Sequence, residues 1–580
     1  MDRLRIIQGI IYLFALAIII RLIYWQFIAD VKSFPSQVMQ EERLPAARGE
    51  IYTLDNFPIV ANQEAFTLFV KPKEITGKPS DIASKISPFL ISEKYSTMEA
   101  QLDDTQKEQK EQEIKDREAY ILNRISNTQL FWVQIARKIT KQAKEKIEGF
   151  NISGIGFQED TKRMYPEASM AAHVLGFVGS SEYEEDIGYF GLEGYYDNQL
   201  RGKDGRGGQS EDPFGLPILV ARFRPIAPKQ GNSIRLAIDR GVQFIVEEKL
   251  HQAVERYGAK QGSAIVADPK SGKIIAMASS PAYSPSFYGE FGQDLYKNPA
   301  VADTYEPGST FKLITMAAAL DTGAVAPDTK CASCGGPRKI GGYEISTWNK
   351  KYYPNSSMVE VIQHSDNVGM TFVSEKLGID GFIDYIKKFG FGQKTNIDLQ
   401  DEVPGNIRPA DEWREIDLAT ASFGQGIAVT PIQMVQAVQA IANGGRLISP
   451  KVVNKIITND KEEPVKANRE AQVISQKTAS QITEMMVNAV EQGEAKAFKP
   501  KGYRIAGKTG TAQIPVAGHY DPEKTIASFI GFAPADNPKF VMLVRFTEPS
   551  SSIFGSETAA PTFFTIAKEL FNYWGISPSG

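Results

Sequence analysis

A serine and a lysine three residues apart, Ser309 and Lys312, stand in the segment Glu306-Pro307-Gly308-Ser309-Thr310-Phe311-Lys312, which runs straight into the apolar stretch LITMAAAL. Pro-Gly ahead of a helical pattern places Ser309 at a helix N-terminus. Lys312 then lies one turn on along the same face, with its amine within reach of the hydroxyl. A serine hydroxyl is a weak nucleophile, a desolvated neutral lysine can act as its base, and a helix N-terminus aims N–H groups at developing negative charge. The chain has only four histidines, His173, His251, His364 and His519, which leaves little room for a histidine-rich metal site, and hydrolytic or transfer chemistry is expected to run without imidazole.

Two further motifs follow in order. Ser365-Asp366-Asn367 comes on a loop after the helical MVEVIQH and offers a hydroxyl for proton relay and an amide for a substrate peptide group. Lys508-Thr509-Gly510-Thr511 lies inside the strand-like YRIAGKTGTAQI. There Lys508, Thr509 and Thr511 can bind a carboxylate, and Gly510 lets a substrate backbone come close to the strand. Each motif alone is a weak signal. All three in this order, on helix, loop and strand, form a strong one.

The elements that must position these groups can be read around them. A strand with Ile234, Leu236 and Ile238 leads into a helix. Ser263–Val266 and Lys273–Ala278 are strands flanking a DPKSGK turn, Ile526–Ala533 and Phe540–Phe546 are strands, and Pro561–Trp574 is a terminal amphipathic helix. Strands at both ends with helices between them predict an α/β (α+β) domain whose sheet is closed by its two ends. Upstream, 48–92 reads as β-rich and about 93–150 as helical, including a solvated, mixed-charge helix over Asp103–Glu118. Residues 200–216 are Gly-rich and polar and predict an extended excursion.

At the N-terminus, Ile6–Phe27 is apolar over a length that crosses about 30 Å of hydrocarbon. Arg3 and Arg5 precede it, which orients the short end to the cytoplasm. Arg21 snorkels, and Tyr24 and Trp25 form an aromatic belt. A cleavable signal peptide fits less well, because apolar residues continue past the small pair Ala15/Ala17. A buried core helix is the other rival. The predicted organisation is a cytoplasmic tail (1–5), a transmembrane helix (6–27), a connector (28–47), a pedestal (48–225) and a catalytic domain (226–580) outside the cytoplasm. The 580 residues are 42% hydrophobic and 23% charged, with 65 Lys+Arg against 69 Asp+Glu and a net charge of −4. This excludes a mainly disordered chain and gives no electrostatic reason to expect nucleic acid.

Three decoys need weighing. Gly502-Tyr-Arg-Ile-Ala-Gly507-Lys508-Thr509 fits the phosphate-loop pattern, but polar sequence stands before it and Gly510 and Pro515 oppose a following helix. Cys331-Ala-Ser-Cys334 is read as a local disulfide ahead of free thiols. A zinc knuckle or redox pair lacks the other two ligands. His364 is read as a structural residue rather than a base.

The sequence resembles the class B penicillin-binding proteins over about residues 40–575. YEPGSTFK (305–312), TASFGQGIAVTPIQ (420–433), AGKTGTAQ (506–513) and AAPTFFTIAKEL (559–570) resemble that family's transpeptidase domain; ARGEIY (47–52), RMYP (163–166) and GLEGYYDNQLRG (191–202) resemble its N-terminal pedestal. VADTYEPGSTFK looks most like the septal branch. The resemblance implies a serine-type D-Ala-D-Ala transpeptidase of carboxypeptidase type, with no cofactor and no metal, that is a target of β-lactams. In it Ser309 is the nucleophile, Lys312 the base, Ser365 the relay and Asn367 a substrate-amide ligand. Lys508, Thr509 and Thr511 would hold the terminal carboxylate, and the backbone N–H groups of Ser309 and Thr511 would form the oxyanion hole. It further implies an integral-membrane glycan polymerase as partner. Alternatives on the same fold are an elongation-type transpeptidase, a D,D-carboxypeptidase or β-lactamase, or an idle division scaffold. Where the pedestal pattern usually continues Asp-Arg-Asn-Gly, this chain has Thr53-Leu54-Asp55-Asn56; Asn56 tolerates the left-handed conformation, so the turn is expected to survive.

Overall fold

The computed structural model describes residues 2–24, 39–95, 103–181, 185–210, 226–516 and 519–578. The N-terminal apolar run is helical over Asp2–Ile23, and from Arg5 to Ile23 it is long and apolar enough to span a membrane, with its large apolar side chains exposed. Trp25, residues 28–38 of the connector and residues 211–216 of the Gly-rich excursion lie outside the described residues. The rest of these two segments includes the strand Met39–Leu44, which runs antiparallel to Gly205–Ser210. By internal contacts Met1–Ala46 with Gly202–Gln230 form one compact unit, and Ala47–Arg201 with Gly231–Gly580 form another.

The second unit is built on two large sheets, with three two-stranded ribbons beside them among the described residues. One has five antiparallel strands in the order Ile274–Ser280, Gln261–Ala267, Phe540–Thr547, His519–Ala533, Ala506–Val516. An early and a late strand of the expected catalytic segment meet in it, because Gln261–Ala267 pairs with Phe540–Thr547, but the strand expected to open that segment, Ser233–Leu236, lies in the other sheet. Its middle strand is buried on both faces with a period of two. Phe540, Met542, Val544 and Phe546 join the helices Arg240–Tyr257 and Ala559–Tyr573, whereas Val541 and Leu543 join the helical side. On that side the helix Lys312–Asp321 is buried from Lys312 to Leu320. Such all-round burial marks a core helix, and here it begins with a lysine.

The other sheet has seven strands and draws on both the pedestal and the catalytic segments. Ile51–Tyr52 runs parallel to Ser233–Leu236, which pairs in turn with Val453–Thr458 and, beyond it, Lys461–Pro464; on the far side come Pro58–Val70, Val133–Ile139 and Ile155–Met164. Two expectations are corrected. Residues Pro79–Tyr95, read as part of a β-rich stretch, are a helix, entered by Pro79 and with Ile82, Ala83 and Ile86 buried along one side. Pro in the first turn costs a helix nothing, since that N–H has no partner in any case. Val133–Ile139, read as helical, is a strand in which Val133, Ile135 and Ile139 are buried. The charged helix is present as Asp104–Ile125, closed by an Asp103–Gln106 capping box.

The three pedestal motifs meet in one buried ion cluster. Glu193 receives hydrogen bonds from Arg48 and Arg163, both at 2.7 Å, and Arg48 also reaches Asp197 at 2.8 Å. Burial pushes the Glu193 carboxyl up, but Arg163 and Arg48 together bring it below the usual carboxylate range. The departing turn survives: Asn56 has φ 67°, and Thr53 N–H donates to Phe57 O at 2.9 Å.

Candidate active site

Ser309 lies in a short 3-10 turn, Gly308–Thr310, that passes directly into the helix beginning at Lys312. The expected helix N-terminus is therefore a tighter turn. Gly308 has φ +54°, and a Cβ there would stand 3.0 Å from the Thr511 carbonyl oxygen, so the turn rests against the edge strand Ala506–Val516. Thr310 pins it further by donating to Pro307 O at 2.7 Å.

One helical step on, the Lys312 amine is fully enclosed. It donates to Ser365 O at 2.6 Å and to Asn367 Oδ1 at 2.7 Å, and it lies 3.2 Å from Ser365 Oγ. Asn367 is held in that orientation because its Nδ2 donates to Ser346 O at 3.3 Å. Among the described residues no hydrogen bond joins Lys312 to Ser309; the amine is positioned by Ser365 and Asn367 instead.

Ser365 sits between the helices Met358–Gln363 and Asn367–Lys388 with φ 52°, a strained conformation for a residue with a side chain. That corner turns its carbonyl toward Lys312 and its hydroxyl toward both lysines. Asp366 caps the second helix by accepting from Val368 N–H at 2.8 Å, and burial pushes its carboxyl up. The Ser365 hydroxyl also receives Lys508 Nζ at 3.0 Å, so the two buried amines share one oxygen. Burial, and then the neighbouring Lys508, hold the Lys312 amine well below the usual lysine range. Lys508 is likewise lowered by burial, with Glu494 acting in the opposite direction.

Beyond the lysines the edge strand presents alternate residues. Thr509, Thr511 and Gln513 line a cleft of about 360 Å³ together with Ser309, Ser365 and Asn367. Gly510 points the other way. A Cβ there would stand 2.4 Å from Ser528 Oγ and 2.9 Å from the Thr310 methyl, so the space a side chain would need is filled by the protein itself.

Several lining residues were not singled out from the sequence. Glu494 accepts from Thr509 Oγ1 at 3.1 Å, and Trp348 and Phe554, with ring centroids 5.7 Å apart, form an aromatic side of the cleft. Only an aromatic or acidic residue type could have flagged them, and both types are common. The decoys resolve simply. Lys508 and Thr509 lie in a strand, not at the start of a helix, so the phosphate-loop match has no helix N-terminus behind it. Cys331 and Cys334 form a disulfide. His364 stacks on Tyr353 at 3.9 Å between ring centroids and does not line the cleft.

The chain matches the penicillin binding protein transpeptidase domain over residues 262–570 and the penicillin-binding protein dimerisation domain over residues 43–236. It is 34% identical over 543 residues to stage V sporulation protein D of Bacillus subtilis, spanning 92% of this chain and 79% of that one. It is 29% identical over 554 residues to the probable peptidoglycan D,D-transpeptidase PenA of Neisseria meningitidis, spanning 94% and 87%. Among solved structures, penicillin-binding protein 3 of Mycobacterium tuberculosis, complexed with aztreonam, superposes with a TM-score of 0.69 at 25% identity, covering 93% of this chain and 98% of that one.

Proposed function

The chain belongs to the class B penicillin-binding proteins, and on that premise we propose that it is a peptidoglycan D,D-transpeptidase that crosslinks stem peptides through an acyl-enzyme on Ser309 and is acylated there by β-lactams. Ser309 Oγ attacks the carbonyl of the D-Ala-D-Ala bond while Lys312 takes its proton. The oxyanion faces the backbone N–H groups of Ser309 and Thr511, a pair whose loss of one member typically costs about 3 kcal/mol of transition-state stabilisation. The proton returns by way of Ser365 to the departing D-Ala amine. An amine of a second stem peptide then attacks the acyl-enzyme, and Ser309 recovers its proton as the crosslink forms. Lys508, Thr509 and Thr511 hold the terminal carboxylate, with Asn367 on the substrate amide.

The observation that carries this reading is the enclosure of Lys312. A neutral amine has two N–H bonds and one lone pair. Its two shortest contacts, Ser365 O and Asn367 Oδ1, can only accept. A neutral amine spends both N–H bonds on them and keeps its lone pair, which rests against the Ser365 hydroxyl at 3.2 Å and passes to the Ser309 proton when the nucleophile attacks.

The domain assignment follows as a pedestal over 48–225 and a transpeptidase domain over 226–580. The apolar segment at 6–27 anchors both on the outer face of the cytoplasmic membrane, with residues 1–5 inside. The septal role and a glycan polymerase as partner complete the proposal. Incubation with benzylpenicillin is expected to add one penicilloyl group, localised to Ser309 by peptide mass analysis, and Ser309→Ala is expected to add none. Undiminished labelling of Ser309→Ala refutes the assignment.

A further inference from the structure

Glu494 is the one carboxylate lining the cleft among the described residues. It follows the helix Gln476–Gln492 and is exposed, so nothing in the packing of the core requires it. Its partner is Thr509, which donates to Glu494 Oε2 at 3.1 Å. A threonine hydroxyl has one proton, and an ionised carboxylate can only accept. With that proton committed to Glu494, Thr509 Oγ1 is left as an acceptor for Lys508 Nζ at 3.2 Å. Lys508 also donates to Ser365 Oγ at 3.0 Å, which turns the Ser365 proton away from Lys508 and toward Lys312, 3.2 Å off. The donors therefore run outward from Lys508 in both directions, ending on a carboxylate at one side and on an amine lone pair at the other.

We propose that Glu494 is a positioning residue for the reaction: by taking the Thr509 proton it gives the chain its direction, keeping Lys508 the cation and Lys312 the free amine. The inference rests on the transpeptidase reading above. Facing the two amines are each other, Asp366 at the helix cap and Glu494, while the neighbouring strand contributes Phe529. Two buried amines this close cannot both hold a proton at low cost. Glu494 favours the proton on Lys508, countering the burial that would remove it. A glutamine of the same size can either donate to or accept from Thr509, so it fills the space without imposing a direction.

The test is the pH profile of benzylpenicillin acylation of the full-length protein, compared among wild type, Glu494→Gln, Thr509→Ser and Thr509→Val. Loss of the Lys508 proton sets the alkaline limb, and Glu494→Gln is expected to move that limb down by about half to one pH unit. Thr509→Ser keeps the hydroxyl and is expected to keep the wild-type limb, whereas Thr509→Val breaks the chain and is expected to move it as Glu494→Gln does. An unmoved limb in Glu494→Gln overturns the proposal. So does a limb that moves in Glu494→Gln but not in Thr509→Val, because the carboxylate's charge would then account for the whole shift and the hydroxyl would set no direction. Ser309→Ala serves as the separate control: if it still acylates, the reading of function fails, while a correct Ser309 result with an unmoved alkaline limb removes the inference about Glu494 alone.

Discussion

Adding one methyl group at Gly510 is the sharpest test of how the edge strand and the nucleophile turn are joined. In Gly510→Ala the new Cβ would meet Ser528 Oγ at 2.4 Å, the Thr310 methyl at 2.9 Å and the Pro307 carbonyl oxygen at 3.2 Å. The first contact is with a hydroxyl that can rotate. The second is not so easily relieved, because Thr310 is fixed by its own hydrogen bond to Pro307 O at 2.7 Å. Ordinary carbon contacts need about 3.5–4.0 Å, so the strand and the turn must part by roughly half an ångström or more. Overpacking of this kind costs about 1–3 kcal/mol of stability. The functional cost is larger: the proposed oxyanion donors lie on either side of the gap being opened, and displacements approaching 1 Å cost about 10²-fold in rate. We therefore expect benzylpenicillin acylation by Gly510→Ala to slow about 10- to 100-fold, measured by stopped-time labelling, while the protein stays folded and its thermal transition drops by a few degrees. Acylation within threefold of wild type would refute the view that turn and strand are held at a fixed separation.

Two other outcomes are expected. Lys312→Met preserves volume but removes the amine held by Ser365 O and Asn367 Oδ1, so acylation should fall by about 10²- to 10⁴-fold with the circular dichroism spectrum unchanged. His173 is buried edge-on to Tyr283, and burial lowers its imidazole to about 4. The unfolded chain takes up that proton near pH 6.5, so the stability His173 supports is complete above that value and is lost as pH falls toward about 4. Urea unfolding at pH 7 and pH 5 should differ by about 2 kcal/mol more in wild type than in His173→Gln.

The reacting groups could be read in the sequence because their chemistry demands identity: no other residue replaces a serine nucleophile or a buried lysine base. The strand Phe540–Phe546 was equally plain, since a short, nearly unbroken apolar run is what a strand buried on both faces requires. The helix Pro79–Tyr95 was missed because Pro88 stands inside it and Pro79 looks like a breaker although it starts the helix. The strand Val133–Ile139 was hidden by polar residues around only three buried positions. Glu494 could not be found from local pattern at all. Its significance comes from Thr509, fifteen residues away, and the segment around it reads only as polar and helical. Likewise Arg48, Arg163 and Glu193 were matched as letters, and only the folded chain makes them one ion cluster.

The parallel pairing of Ile51–Tyr52 with Ser233–Leu236 has a practical corollary. A recombinant fragment cut to begin at 226 would keep Ser233–Leu236 and Val453–Thr458 but discard the strand that shields their flank. Its naked β-backbone, lined by Ile234 and Leu236, would be an invitation to self-association. Soluble preparations without the N-terminal apolar helix are therefore best begun ahead of Ala47, so that the first β-residues travel with the strands they cover.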